Sequence, residues 1–180
     1  MLYIGIDPGK SGGLVSLQVP DDRRGCTGRS IQRTKLTRMP DTLRDIDGWF
    51  EIASSAEHSM AAIEKVHSSP QMGVASAFTF GREFGQLEAM LSAYGIPLID
   101  PDGTLPNTWQ KALGIKPRKK KKGKGRTGET TTQWKTRLRD MAQRMFPGLE
   151  VWKRTKGEQL CVADALLLAE YCRRKDQGIL

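Results

Sequence analysis

The chain has 180 residues, 38% hydrophobic and 27% charged, with a net charge of +9, a length that fits one domain spanning residues 1–180 and argues against two. No run approaches the ~20 apolar residues of a membrane span, and a first strand starting at Leu2 leaves no room for a signal peptide, so membrane and secreted classes are not expected. Cys26, Cys161 and Cys172 are odd in number and form no CxxC pair, which speaks against a disulfide framework and a zinc site and for a reducing, cytoplasmic setting.

In chain order, Leu2–Asp7 reads as a buried strand ending on a carboxylate. Pro8–Gly13 follows as a turn whose glycines permit positive φ, and Leu14–Val19 as a returning strand. A third strand is expected across Ser30–Thr37, around Ile31, with its register weakly specified. Asp41 can cap a helix whose apolar stripe is Leu43, Ile46, Trp49, Phe50 and Ala53. Met60–Val66 is an apolar strand interrupted by Glu64, and an acid in such a run is costly unless a cation meets it.

A helix is expected from about Gln71 to Tyr94, with Val74, Phe78, Phe84, Leu87 and Leu91 at helical spacing, small Gly81 and Gly85 between them, and Gly95 as its C-terminal cap. Ile96–Ile99 then supplies a strand and Pro106–Leu113 a short helix with Trp109. A further helix begins near Thr130, carries Trp134, Leu138, Met141, Ala142 and Met145, and stops before Pro147. The last, from about Glu158 to Arg174, presents Cys161, Ala165, Leu168 and Cys172 on one side with Asp164 close to the same face. Trp109 and Trp134 read as core residues rather than stacking platforms. No internal repeat is visible, and the order of elements implies a mixed sheet with helices on both faces.

The charge is concentrated. Residues 115 to 139 hold eleven Lys or Arg against one acid, Glu129, so this stretch carries +10 and the rest is close to neutral. Its centre, the Lys/Arg/Gly-rich loop at about 116–128, contains Lys119, Lys120, Lys121, Lys122, Lys124 and Arg126. A basic run beside a helix suits phosphate contact through counterion release; a solvated charge run that aids solubility is the plainer reading.

Three carboxylates stand where a globular chain usually avoids them: Asp7 at a strand end, Glu64 inside an apolar strand and Asp164 in the run Val162-Ala163-Asp164-Ala165-Leu166-Leu167. Singly, each has an ordinary explanation as a turn-former or a solvated helix position. Two adjacent strands and one packed helix can instead bring them to one edge of a sheet. Clustered carboxylates repel, and such a cluster is stable mainly around hard divalent cations, Mg²⁺ first, with Mn²⁺ as a substitute. Two ions about 4 Å apart activate a water and stabilise the leaving oxygen of a phosphodiester, with Asp7 bridging and Glu64 and Asp164 completing the coordination.

The run Tyr3-Ile4-Gly5-Ile6-Asp7-Pro8-Gly9-Lys10-Ser11-Gly12, then Ile63-Glu64-Lys65-Val66, then Ala163-Asp164-Ala165-Leu166 resembles RuvC and its bacteriophage and organellar relatives in both order and spacing. The resemblance implies a ribonuclease H-like α/β fold, with a five-stranded mixed sheet flanked by helices on both faces. It also implies a homodimeric, Mg²⁺-dependent endonuclease that resolves four-way DNA junctions by paired nicks, dimerising through the helix at 71–94, in a bacterial, phage-infected or organellar setting. Within the same resemblance, His67 takes the place of an aromatic that stacks at the junction, Ser68, Ser69 and Gln71 can bond phosphates, and Lys135 matches a lysine that reaches the scissile phosphate.

One departure stands out. The family carries an acid or His one turn before its last Asp, where this chain has Cys161, a soft thiol ill suited to Mg²⁺. Glu158, six residues before Asp164, lies on another face of a regular helix and could join the site only if the helix began after it. Two other readings fit parts of the sequence. An actin-like ATPase or sugar kinase also opens on Ile-Gly-Ile-Asp but needs a second such domain, for which this chain is too short. A non-catalytic protein that binds branched DNA on the same fold is favoured by Cys161.

Overall fold

The computed structural model describes residues 1–20, 33–67, 72–119 and 128–180. Cys26, Ile31, Ser68, Ser69, Gln71, Lys120, Lys121, Lys122, Lys124 and Arg126, all singled out above, lie outside the described residues.

Four strands, β1 (Leu2–Asp7), β2 (Gly13–Gln18), β3 (Arg33–Arg38) and β4 (Ser59–Ile63), form one mixed sheet in the order β3-β2-β1-β4. β2 runs antiparallel to both β1 and β3, whereas β4 runs parallel to β1, reached through α1 (Leu43–Ser54). Then follow α2 (Val74–Ala93), α3 (Pro106–Ala112), α4 (Thr131–Met145), a 3-10 turn at Glu150–Lys153 and α5 (Lys156–Asp176). No helix among the described residues is long and apolar enough to cross a membrane.

The twofold alternation of a strand divides the core. Ile4, Ile6, Leu14 and Ile63 face α1 and α2, where they pack on Ile46, Trp49, Phe50, Leu87 and Leu91. Tyr3, Val15, Leu17 and Ala62 face α3, α4 and α5, meeting Trp109, Leu138 and the nearly continuous apolar run of α5. Asp7 follows Tyr3 and Gly5 in that alternation and so belongs to the α5 side. Helices therefore cover both faces of the sheet.

Several expected boundaries shift. The fifth strand is not formed: the chain at Ile96–Ile99 makes only an isolated parallel bridge, Leu98 to Ala61, and a second bridge joins Thr104 to Glu64. Pro97 and Pro101 supply no N–H, so pairing with β4 is reduced to the bonds Ala61 N–H to the Pro97 carbonyl and Ile99 N–H to the Ala61 carbonyl. This segment is held in place differently, by Asp100, which accepts from Thr104 Oγ1 at 2.7 Å and from the Tyr171 hydroxyl at 3.0 Å and pairs with Lys175.

β4 ends at Ile63 rather than running on to Val66, because its partner β1 is followed by Pro8 and by Gly9 at φ 100°, which turn the chain away. The α1 cap is Thr42, not Asp41, with Thr42 Oγ1 accepting from the Asp45 amide. α2 starts at Val74, three residues later than the expected Gln71. Its C-terminal signal was legible: Gly95 takes φ 62°, the left-handed conformation that glycine accepts without cost.

Candidate active site

The site follows from register. Ile6 pairs with Ile63 in the parallel ladder, and the Glu64 amide donates to the Ile6 carbonyl at 2.9 Å. Glu64 thus stands one residue beyond the last ladder pair, beside Asp7 and on the same face, since Ala62 two residues earlier also points to the α5 side. The two carboxyl groups lie within hydrogen-bonding reach of each other. α5 crosses this face against β1, and its Asp164 comes close enough for its charge to act on Asp7. Gly5 and Gly13, without side chains, allow the backbone of α5 to lie directly on β1 and β2.

Asp7 is buried and Glu64 and Asp164 are half-buried. Burial, then the charges of Asp164 and Glu64, raise the Asp7 carboxyl well above its ordinary range. Burial and then the Glu64 charge push Asp164 up to about 7. Burial raises Glu64 as well, opposed first by a hydrogen bond from Trp109 and then by one with Asp7. Among the described residues, one cation acts on all three: Lys135, half-buried on α4. At an effective dielectric near 20, like charges ~4 Å apart repel by roughly 4 kcal/mol, so a single lysine cannot balance three ionised carboxylates.

The sequence pointed to Asp7, Glu64, Asp164 and Lys135, and the fold brings these four together. Glu158 is a correction. α5 begins at Lys156, before Glu158, and the Glu158 carboxylate is engaged in a capping box, accepting from the Thr155 hydroxyl at 2.9 Å and the Thr155 amide at 3.3 Å. The helix start it would have needed is absent, so it is turned to the helix end rather than to the acids. Cys161, one turn before Asp164, is a half-buried free thiol. His67 and Lys119 are exposed.

Two contributors escaped the sequence reading. Trp109, expected simply as core, is fully buried, yet its indole N–H donates to Glu64 Oε1 at 3.0 Å. The available signal was physical: the N–H of a buried tryptophan usually finds an acceptor. The other is Phe80 of α2, whose ring lies against Gly9 so closely that a Cβ there would be 3.0 Å from Phe80 Cε2. That contact ties α2 to the turn following Asp7.

Arg137 secures the neck of the basic segment. It donates to both Glu129 oxygens at 2.9 Å and to the carbonyls of Lys116 and Pro117, and its guanidinium lies over Trp134, 4.3 Å from the ring centre. Across the same neck the Glu129 amide donates to the Lys119 carbonyl at 2.9 Å. The one acid of the basic stretch is therefore spent internally.

By sequence, no protein-family model and no curated protein matches the chain. By structure, it is similar to Thermus thermophilus RuvC in complex with a Holliday junction substrate, with a TM-score of 0.55, 18% identity, and coverage of 95% of this chain and 92% of that one. The fold is RuvC-like. A second Thermus thermophilus RuvC structure agrees, with a TM-score of 0.55, 19% identity and 96% coverage of both chains. The overlay spans nearly the whole of each chain.

Proposed function

We propose that this protein is a metal-dependent endonuclease that cuts branched DNA, with four-way junctions as its substrate class. The observation that carries the reading is the meeting of Asp7, Glu64 and Asp164 with Lys135 on one face, at one end of the sheet of a RuvC-like fold. Four-way junctions are the substrate class because the similar Thermus thermophilus protein is described in complex with a Holliday junction.

Among the described residues, no three acid, His or Cys side chains are closed around one point as a preformed metal cage would be. The fit of a cation rests instead on donor chemistry. The site offers hard carboxylate oxygens, raised in pKa first by burial and then by mutual repulsion, and Mg²⁺ or Mn²⁺ favours their ionised forms. Asp7, Glu64 and Asp164, whose charges act on one another, would be the residues that hold the ions. Bound there, the ions supply Lewis acidity for the attacking water and charge for the leaving oxygen. Lys135, whose charge acts on all three acids, would hold a non-bridging oxygen of the scissile phosphate. His67 would stack at the junction, and Lys119 and the basic residues up to Arg126, with Ser68 and Ser69, would contact DNA backbone outside the acids.

The homodimer is part of the proposal. α2 exposes Val74 (88% exposed) and Phe78 (72%) in line with Gly81 and Gly85, which have open space where a Cβ would stand. At spacings of four, three and four these residues form one stripe, apolar at one end and smooth at the other, as suits a second copy of the helix.

Incubation with a synthetic four-way junction and Mg²⁺ tests the reading. Paired nicks are expected, and they should vanish with EDTA and in Asp7→Asn while junction binding persists. The second reading, a binding protein without chemistry, draws on Cys161 standing where the resemblance calls for an acid or His. Wild type that binds the junction and never cuts it with Mg²⁺ or Mn²⁺ would establish that reading instead.

A further inference from the structure

We propose that Trp109 is a positioning residue for Glu64, its indole N–H fixing one carboxylate oxygen so that the other is presented toward Asp7 and a bound cation. The inference rests on the metal-site reading above and assigns Trp109 no contact with DNA or ion.

The geometry grips Glu64 at two levels. Its main chain is stitched on either side to Thr104, whose amide donates to the Ile63 carbonyl and whose carbonyl accepts from Lys65, both at 2.8 Å. Five residues later the same segment delivers Trp109, whose indole N–H reaches Glu64 Oε1 at 3.0 Å. Thr104 is buried and Trp109 has no exposed surface, so the donor is held by packing and does not swing. Oε2 is left as the oxygen without a tryptophan donor.

The residue type fits the task. An indole N–H donates, accepts nothing and does not ionise. A lysine or arginine here would add a positive charge competing with the cation for the same carboxylate. An asparagine or glutamine could turn its oxygen toward Glu64. A glutamate free of such a bond must surrender its rotamer freedom on binding, whereas Glu64 is already ordered. Partners that orient ligands in this way typically govern metal affinity by 10- to 100-fold. If the bond served only to satisfy a buried N–H, its loss would alter stability and leave metal affinity unchanged.

The test replaces Trp109 with 3-benzothienylalanine, which keeps the bicyclic shape with sulfur in place of N–H, and in parallel makes Trp109→Phe. Mn²⁺ binding is measured by calorimetry on the DNA-free protein, alongside thermal unfolding without metal. The expected result is Mn²⁺ affinity weakened about 10- to 100-fold in the benzothienyl variant at a near wild-type unfolding midpoint. Junction cleavage should be lost at low Mn²⁺ and restored when Mn²⁺ is saturating. Unchanged Mn²⁺ affinity in that variant overturns the proposal while leaving the metal site standing. Wild type that binds no Mn²⁺ overturns the metal site and the proposal with it. Trp109→Phe should follow the benzothienyl variant wherever it folds.

Discussion

Gly5 on β1 and Ala165 on α5 approach so closely that a Cβ on the glycine would lie 1.9 Å from the Ala165 carbonyl oxygen and 2.4 Å from the Ala169 amide nitrogen. Both obstructing atoms are backbone, and neither can move without moving the helix. Ala165 immediately follows Asp164, so the depth at which α5 sits on the sheet also sets how near Asp164 comes to Asp7.

The smallest substitution at this point should therefore be severe. Gly5→Ala is expected to destabilise the protein by about 3 kcal/mol or more, the upper end of the cost of overpacking a core, seen as a lower urea midpoint. Where folded protein is recovered, α5 should be displaced and cleavage reduced further than the stability loss explains. Wild-type stability in this variant would contradict the close approach.

Removing an acid should have the opposite effect on stability. The folded Asp164 carboxyl is raised to about 7 from an ordinary value of 3.8. The folded state accordingly holds a proton that the unfolded chain releases across that interval. This contribution to stability is complete below about pH 4 and is lost as pH rises toward 7. Metal-free Asp164→Asn should then be more stable than wild type at pH 8, by on the order of 2 kcal/mol, or about 4–8 °C in Tm for a chain of this size. It should also lose much of the decline in Tm between pH 4 and 7. Calorimetric scans across that range, with EDTA present, decide it.

Cation affinity should rise across the same interval, because protons and metal compete for the same oxygens. Calorimetric titration with Mn²⁺ at pH 5.5 and pH 8 should give tighter binding at the higher pH, with protons released at the lower. Affinity independent of pH would mean that the metal binds elsewhere.

Arg137 should matter to the neck of the basic segment more than to the core. Arg137→Ala removes the bonds to Lys116, Pro117 and Glu129 together, and hydrogen exchange at the Glu129 amide should accelerate several-fold or more. Junction binding should weaken. Deletion of residues 117–126 should go further, flattening the salt dependence of binding; an unchanged slope would exclude that segment from DNA contact.

For the dimer, Phe78→Glu places a charge in the middle of the exposed α2 stripe. A buried aromatic at an interface commonly contributes 2 kcal/mol or more, so the dimer should weaken roughly 30-fold or more and run as a monomer in light-scattering chromatography. Wild type that is already monomeric at high concentration would remove this surface from the proposal.

Local pattern was enough for much of this protein. The uninterrupted apolar run of β1, the helical stripes of α1 and α4, the capping glycine at 95 and the three out-of-place acids are all carried by neighbours in sequence, where periodicities of two and 3.6 separate buried from solvated positions. What eluded the pattern depended on distant partners. Ile96–Ile99 looks like a strand, but whether it pairs is settled by where its prolines fall against β4. Glu158 looks available until its reciprocal bonds with Thr155 are seen.

By itself, then, the sequence determined which acids stand out as candidates, because an acid in apolar surroundings is costly and conspicuous. Only the tertiary structure decided which of them meet. The parallel register of β4 on β1 and the glycine-floored seat of α5 set the positions of Asp7, Glu64 and Asp164. The bond from Trp109 joins residues 45 positions apart, and close packing between distant segments leaves no trace in local periodicity.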